Sequence, residues 1–269
     1  MNSLDSLVQS LPLIVADMSS RLNGKTALVT GSTNNIGRAI AEAFAAEGAH
    51  VVVSGRDKSR GDQVVARIRD AGGRADFVAA DLDGSPARSA ALATEALAAV
   101  GGRLDVLVNN AGIFPAAGTL TADEATYDLV TAVNVKAPFF LVQALVPVMA
   151  AAGGGTIINL GSWVARLAVP AGALYASTKG AMETLTRGWS AEFASSGIRV
   201  NAISPGVIHD GDEPHPAAFM MSGTPAGTNG RPEAVAYAAL WLASDESSFV
   251  HGTVIDVDGG RAGVAVIAS

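Results

Sequence analysis

The chain contains no cysteine, which excludes a disulfide framework, a thiolate metal centre and a cysteine nucleophile. Aromatic residues make up 5% and charged residues 16% of the 269 positions, against 49% apolar. A core must therefore be built from aliphatic side chains, and the balance is that of a compact globular protein rather than a disordered one. Basic charge is also in short supply: 18 Lys and Arg against 25 Asp and Glu leave a net charge of −7, which argues against a nucleic-acid surface and against an acidic macromolecular substrate. The opening residues, MNSLDSLVQSLPLIVADMSSRL, lack a basic residue before Arg21 and lack the apolar length of a secretory signal. Residues 1–20 read as an extension and 21–269 as one domain, with a cytoplasmic location expected. The apolar stretch from Ala137 to Leu160 has the length of a membrane span, but Pro147 and the run Gly153, Gly154, Gly155 are expected to break it into a buried helix, a turn and a strand.

Short apolar runs alternate with helical segments along nearly the whole length, the pattern of a parallel sheet wound with helices. KTALVTG, HVVVSG, ADFVAAD, LDVLVNN, GTIINLG, IRVNAISPG and TVIDVDGG read as strands. Helices are expected over NIGRAIAEAFAAEG, closed by Gly48, and near 57–71, 85–100, 121–152 in two pieces, 173–196 and 231–243. Val142, Leu145, Val146 and Met149 keep the i, i+3, i+4, i+7 spacing of a buried helical face. No linker, repeat or low-complexity block interrupts the pattern. The expected fold is a single-domain α/β structure: a doubly wound, seven-stranded parallel sheet with helices on both faces, Rossmann-like. The one long non-periodic stretch, about 206–230, reads as a lid over a substrate site.

Two short motifs carry chemistry. VTGSTNNIGRAI joins the first strand to the first helix, where a glycine-rich turn becomes a candidate pyrophosphate cradle. Gly31 allows the tight turn and Gly37 lets helix and sheet approach. Further on, LYASTKG sets Tyr175 and Lys179 four positions apart, on one face of a helix. A phenol beside an ammonium is either a packing accident or a tuned acid.

Taken with NNAG at Asn109–Gly112, Ser162 thirteen residues before Tyr175, Asn134 in NVKAPFF, and the pair Pro205, Gly206, these motifs make the chain resemble the short-chain dehydrogenase/reductase family, classical type, over roughly residues 22–260. The resemblance implies a catalytic set of Asn134, Ser162, Tyr175 and Lys179. Tyr175 would be the acid/base, Ser162 would bond the substrate oxygen, Lys179 would tune the phenol and hold the ribose, and Asn134 would hold a water in a proton relay. It also implies a nicotinamide nucleotide along Gly31, Ser32, Asn34, Asn35, Ile36 and Gly37, with Arg56, Asp81 and Leu82 on the adenosine side. Asn110, Ala111 and Gly112 would flank it, and Tyr175, Lys179, Pro205, Gly206 and Ile208 would meet the nicotinamide end. Where the family's loop has its middle glycine this chain has Asn35, a residue type that tolerates left-handed backbone angles. Relatives commonly associate through the long helices and near the C-terminus, which implies a homotetramer.

The chemistry needs these residue types. Reducing a ketone by hydride transfer leaves an alkoxide-like oxygen, so the site must donate a proton and stabilise charge. A free tyrosine titrates near ~10, and a neighbouring ammonium is expected to lower that value. At the end of the second strand the position that often carries an acid in NAD-binding relatives is Gly55, followed by Arg56, so NADP(H) is the expected cofactor and NAD(H) the other candidate; Asp57 is the carboxylate that a shift in register would offer instead. His209, Asp210, Asp212, Glu213 and His215 lie on a Pro- and Gly-rich loop, and no metal site is expected there. Asp210 stands where many relatives carry a nicotinamide-binding threonine. Trp163 and Arg166 are candidates for the pocket wall, or else a core tryptophan and a surface arginine. The expected activity is interconversion of a small carbonyl compound and its alcohol; a nucleotide-binding redox sensor, a 3-oxoacyl carrier-protein or thioester reductase, and a dehalogenase-like protein are the alternatives.

Overall fold

The structure is a computed structural model that describes residues 20–115, 117–170, 172–211 and 216–265. The expectations for nearly all of the 1–20 extension, for Asp212, Glu213 and His215, and for the last four residues of the tail lie outside the described residues. Strands β1 (Thr26–Thr30), β2 (His50–Gly55), β3 (Arg74–Ala79), β4 (Val106–Asn109), β5 (Gly155–Leu160), β6 (Ile198–Pro205) and β7 (Val254–Val257) alternate with helices α1 (Asn35–Ala46), α2 (Lys58–Asp70), α3 (Pro86–Ala99), α4 (Glu124–Thr131), α5 (Ala137–Ala151), α6 (Ala173–Phe193) and α7 (Pro232–Ala243).

The strands pair in parallel in the order β3-β2-β1-β4-β5-β6-β7. Side chains alternate between faces along each strand, and the aliphatic sequence supplies both. Ala27, Val29, Val51, Val53, Val106 and Val108 pack on one side with Ile40 and Phe44 of α1, Val64 and Ile68 of α2, and Val235 and Leu240 of α7. Leu28, Val52 and Leu107 pack on the other with Leu92 of α3, Leu141, Leu145 and Met149 of α5, and Met182 and Trp189 of α6. Between β1 and β4 the winding direction reverses. In such sheets a crevice opens there, at the carboxyl ends of the strands.

The 121–152 segment forms its two helices without a break. Five residues, Ala132–Lys136, make a π-helical turn between α4 and α5. Pro147 does not end α5, contrary to the expectation from sequence. The carbonyl it leaves without an N–H partner belongs to Gln143, four residues earlier and exposed, where water can satisfy it. The helix stops instead at Gly153 and Gly154, whose φ values of 96° and 122° suit only glycine. The stretch Glu124–Ala151 has the length and, at a mean hydropathy of 1.7, the apolarity of a membrane span. Its α5 part packs Leu141, Leu145 and Met149 into the core against α3, in one cluster with Met182 and Trp189 of α6.

The segment after β6 crosses the carboxyl edge of the sheet. Ile208 bridges to Gly230, and a turn of 3-10 helix at Ala218–Met221 buries Met221.

Candidate active site

The cradle after β1 is fixed by glycine and by asparagine. Gly31 has φ 63°, and a Cβ there would stand 2.8 Å from the Ala111 Cα. A Cβ on Gly37 would meet the Asn110 Nδ2 and the Gly31 carbonyl, each at 2.4 Å. Asn35 takes a φ of 44°, the one positive value at a non-glycine among the described residues. Its buried Oδ1 has no hydrogen-bond partner within the protein. The NNAG turn is stitched to this loop: the Thr30 hydroxyl accepts from the Asn110 and Ala111 N–H groups at 3.0 Å each, and the Asn110 amide donates to the Thr30 carbonyl at 2.9 Å. Ser32 is fully buried, donating to the Val29 carbonyl at 2.6 Å and accepting from the Ser54 N–H at 2.9 Å. It serves the base of the loop, while its neighbour Thr33 lines the cleft.

That cleft, of about 1010 Å³, runs across the β1/β4 reversal. Gly31, Asn34, Asn35, Ile36, Gly37, Arg56, Asp81, Leu82, Asn110, Ala111 and Gly112 line it, with Arg60 added at the outer end. Asp57 caps α2: its carboxylate accepts from the Arg60 backbone N–H at 3.0 Å and from the Arg60 Nε at 2.7 Å, and these bonds hold its pKa below the ordinary range. The carboxylate that a shift in register would have offered to a ribose is therefore engaged in helix capping. A Cβ on Gly55 would meet the Thr33 methyl at 2.7 Å. An acidic side chain would not fit there without moving Thr33.

The cleft continues into a pocket of about 220 Å³ bounded by Ser162, Tyr175, Lys179, Pro205, Gly206, Ile208 and Phe114, and the two share Ile36, Asn110, Gly112 and Ile113 as walls. Tyr175 and Lys179 share a face of α6, as their spacing predicts. The Phe114 ring lies against Tyr175, with centroids 4.7 Å apart. Lys179 is buried, donates from Nζ to the Leu160 carbonyl at 2.8 Å, and stands 5.7 Å from the centre of the Tyr175 ring. Burial brings the ammonium down to about 8. The phenol behaves opposite to expectation: burial pushes Tyr175 up to about 12, and a hydrogen bond with Ser162 only partly offsets that. The ammonium faces the Leu160 carbonyl rather than the phenol oxygen, and desolvation wins.

Asn134 sits inside the π turn, buried, behind the pocket. Its Oδ1 accepts from the Ile113 N–H at 2.9 Å, and its Nδ2 donates to the Ile113 carbonyl at 3.0 Å and to the Thr178 hydroxyl at 3.1 Å. Thr178 in turn donates to the Tyr175 carbonyl at 2.7 Å. The side chain thus ties the segment after NNAG to the first turns of α6. Asp210 does not line the pocket; it accepts from Arg38 of α1 at 2.6 Å. Arg166 is held by Asp256 and Glu183, and Trp163 is buried with the Arg261 guanidinium 5.1 Å from its ring. Among the described residues no group of three His, Cys, Asp or Glu side chains could hold a metal ion. Thr33, Arg60, Phe114, Thr178 and Glu183 were not picked out from sequence. Only Glu183 had a signal there: four residues after Lys179 and eight after Tyr175, it continues their helical face.

An α/β crevice at a strand-order reversal, with a glycine-gated cradle at one end and a buried phenol, ammonium and hydroxyl at the other, defines a dinucleotide-binding oxidoreductase. The family described as enoyl-(acyl carrier protein) reductase matches residues 31–262. Cyclopentanol dehydrogenase of Comamonas sp. is 35% identical over 246 residues, spanning 89% of this chain and 98% of its own. The structure of gluconate 5-dehydrogenase from Burkholderia cenocepacia in complex with NADP and tartrate superposes with a TM-score of 0.85 at 34% identity, covering 93% of this chain and 100% of that one. A 7α-hydroxysteroid dehydrogenase complexed with NADH and 7-oxo glycochenodeoxycholic acid gives 0.84 at 34% identity, covering 91% and 96%. The chain belongs to the short-chain dehydrogenase/reductase family. It is an oxidoreductase of the alcohol/carbonyl type.

Proposed function

We propose that this enzyme interconverts a ketone or aldehyde and its alcohol with NADP(H), using Tyr175 as proton donor and acceptor. The observation that carries the reading is the convergence of Tyr175, Lys179 and Ser162 on one pocket that opens into the cleft. The residues fit a nicotinamide dinucleotide: the cradle has a buried amide oxygen at Asn35 with no protein partner, and Gly31 and Gly37 let the β1–α1 loop close tightly on the NNAG turn, where a Cβ would run into Ala111 and Asn110. Gly31, Asn34, Asn35, Ile36 and Gly37 would hold the diphosphate, Asp81 and Leu82 the adenine, and Lys179, Pro205, Gly206 and Ile208 the nicotinamide half. When bound, that group supplies or accepts the hydride.

The protein's own part is proton handling. A phenol held near 12 keeps its proton at neutral pH and is poised to donate it to a carbonyl oxygen. Ser162 bonds the phenol and can donate to the same oxygen. Lys179 stays largely protonated at pH 7, and its charge stands beside the Tyr175 ring without bringing the phenol below its ordinary value. Asn134 holds the segment after NNAG and the start of α6 at a fixed spacing.

NADP(H) over NAD(H) is supported by the adenosine end, where Arg56 and Arg60 line the cleft and the Asp57 carboxylate caps α2. Among relatives one structure holds NADP and another NADH. Tyr127, Leu129 and Phe139 are exposed on α4 and α5 and support the reading of a homotetramer. The description of the matching family keeps acyl thioesters as a second substrate class. A panel of ketones, sugars and acyl thioesters assayed with NADPH and NADH tests the whole reading: no turnover of any carbonyl with either nucleotide would overturn it.

A further inference from the structure

We propose that Arg166 is a positioning residue of the catalytic set, one guanidinium that fixes the Ser162 segment against the helix carrying Tyr175 and Lys179. The inference rests on the reading of Ser162 and Tyr175 as the reacting groups. Arg166 lies four residues beyond Ser162, at the end of a short 3-10 turn, Trp163–Ala165. Its Nη1 donates to Asp256 of β7 at 3.0 Å, its Nη2 donates to the other oxygen of the same carboxylate, and its Nε lies 3.5 Å from Glu183 of α6. All three faces of the fork are therefore turned toward protein carboxylates, and none toward the substrate pocket.

Glu183 is what makes this more than a surface ion pair. Its side chain is only 8% exposed, against 39% for Arg166 and 34% for Asp256. The contact is an ion pair without a hydrogen bond, the Glu183 Oε1 having no hydrogen-bond partner within the protein, so a carboxylate that deep depends first on the Arg166 charge. Burial raises its pKa, while Arg166 and then Arg187 pull it back. A Cβ built on Gly161 would lie 3.5 Å from the Glu183 Oε1 and 3.7 Å from its Cγ. The acid therefore backs directly onto the residue that precedes Ser162.

The third contact reaches the nicotinamide end. Asp256 pairs in register with Ser204 of β6, and one residue on the Gly206 N–H donates to the Val257 carbonyl at 3.0 Å. The Arg166 guanidinium thus joins the loop of Ser162, the helix of Tyr175 and the strand beside Gly206. A bidentate fork holds direction as well as distance, which a lysine in its place would not.

Arg166→Met keeps most of the side chain's bulk and removes the fork. The expected result is a ~10- to 100-fold fall in kcat, the scale on which small misplacements of reacting groups act, with KM and the NADPH dissociation constant within about twofold. Arg166→Lys should recover part of the loss, and Glu183→Gln, which keeps the shape, should reproduce it in milder form if the methionine variant folds poorly. Hydrogen exchange of the 161–167 peptide should speed up in the variants while peptides from β1 and α1 stay unchanged. An unchanged kcat with a lowered Tm would overturn the proposal, as would a raised KM at unchanged kcat, which would make Arg166 a substrate ligand. Unaltered exchange over 161–167 would overturn it even without a known substrate. Tyr175→Phe run in parallel separates the failures: if that variant keeps its turnover the acid/base reading fails, and if it is inactive while Arg166→Met is not, only the positioning role fails.

Discussion

At its outer end, the one proposed for adenosine, the cleft is bounded by Arg56 and Arg60, both exposed, whereas at the other end Lys179, Asn134 and Ser162 are buried and hydrogen-bonded to neighbours. Water competes for every contact at the first end and for few at the second. Charge there acts locally and can be exchanged at small cost, while each group at the buried end also sets the protonation or position of the next. The contrast predicts large, coupled effects at the pocket and smaller, separable ones at the rim.

The largest effect belongs to Tyr175→Phe, which removes the proposed proton donor and leaves the ring beside Phe114. Turnover should fall by ~10²- to 10⁴-fold, while the NADPH dissociation constant stays within about twofold. Steady-state kinetics and a fluorescence titration check both halves. A comparable loss of affinity would show that the buried end cannot be divided into chemistry and binding.

Lys179→Met comes next, and it carries a pH signature. With the phenol held near 12, the proposed donor keeps its proton throughout the neutral range. The ammonium, held down near 8, loses its charge as pH rises through that value. The alkaline limb of kcat/KM should therefore break near 8 rather than near 12, and the variant should lose that break along with both turnover and nucleotide affinity. A break that survives in Lys179→Met would reassign it to another group.

At the rim, Arg56→Ala should weaken NADPH by ~10- to 100-fold, the worth of one or two charge-assisted bonds to a phosphate. NADH, which lacks that phosphate, should bind almost unchanged. Dissociation constants for both nucleotides decide the matter, and a wild-type preference for NADH would reverse the cofactor assignment without touching the pocket. The smallest effect is expected from Asp210→Asn. The pair with Arg38 is partly exposed, at 36% and 20%, so its loss should change affinity by less than ~1 kcal/mol, and only at low salt. An effect that persists at high salt would move Asp210 from the rim into the pocket.

Much of this layout is legible in the sequence, for reasons that are local. Val51, Val52 and Val53 announce a strand buried on both faces, and Tyr175 and Lys179 share a helical face because their spacing is that of one turn. The glycines at 31 and 37 can be assigned roles because only one residue type fits them. What is not legible depends on distance along the chain. Asp210 finds Arg38 across 172 positions and Arg166 finds Asp256 across 90. The direction of the Tyr175 shift follows from how deeply the ring is packed, and Pro147 stays inside its helix because Gln143 happens to face outward. None of these has a spacing that could be read beforehand.

The π turn at Ala132–Lys136 gives the long helix two phases. A regular helix advances by about 100° per residue, so the wider turn sets α4 out of step with α5 by roughly the arc of one residue. Asn134 stands at the slip, with Ile113 on one side of its amide and Thr178 on the other. A substitution keeps the extra residue on which that slip depends. A one-residue deletion would erase it, letting the two helices run as one and swinging Tyr127 and Leu129 a quarter turn or more around the axis while every aliphatic contact of α5 stayed where it was. The pocket's geometry is in this sense stored in a residue count, which drift by point mutation preserves and a single codon lost would not.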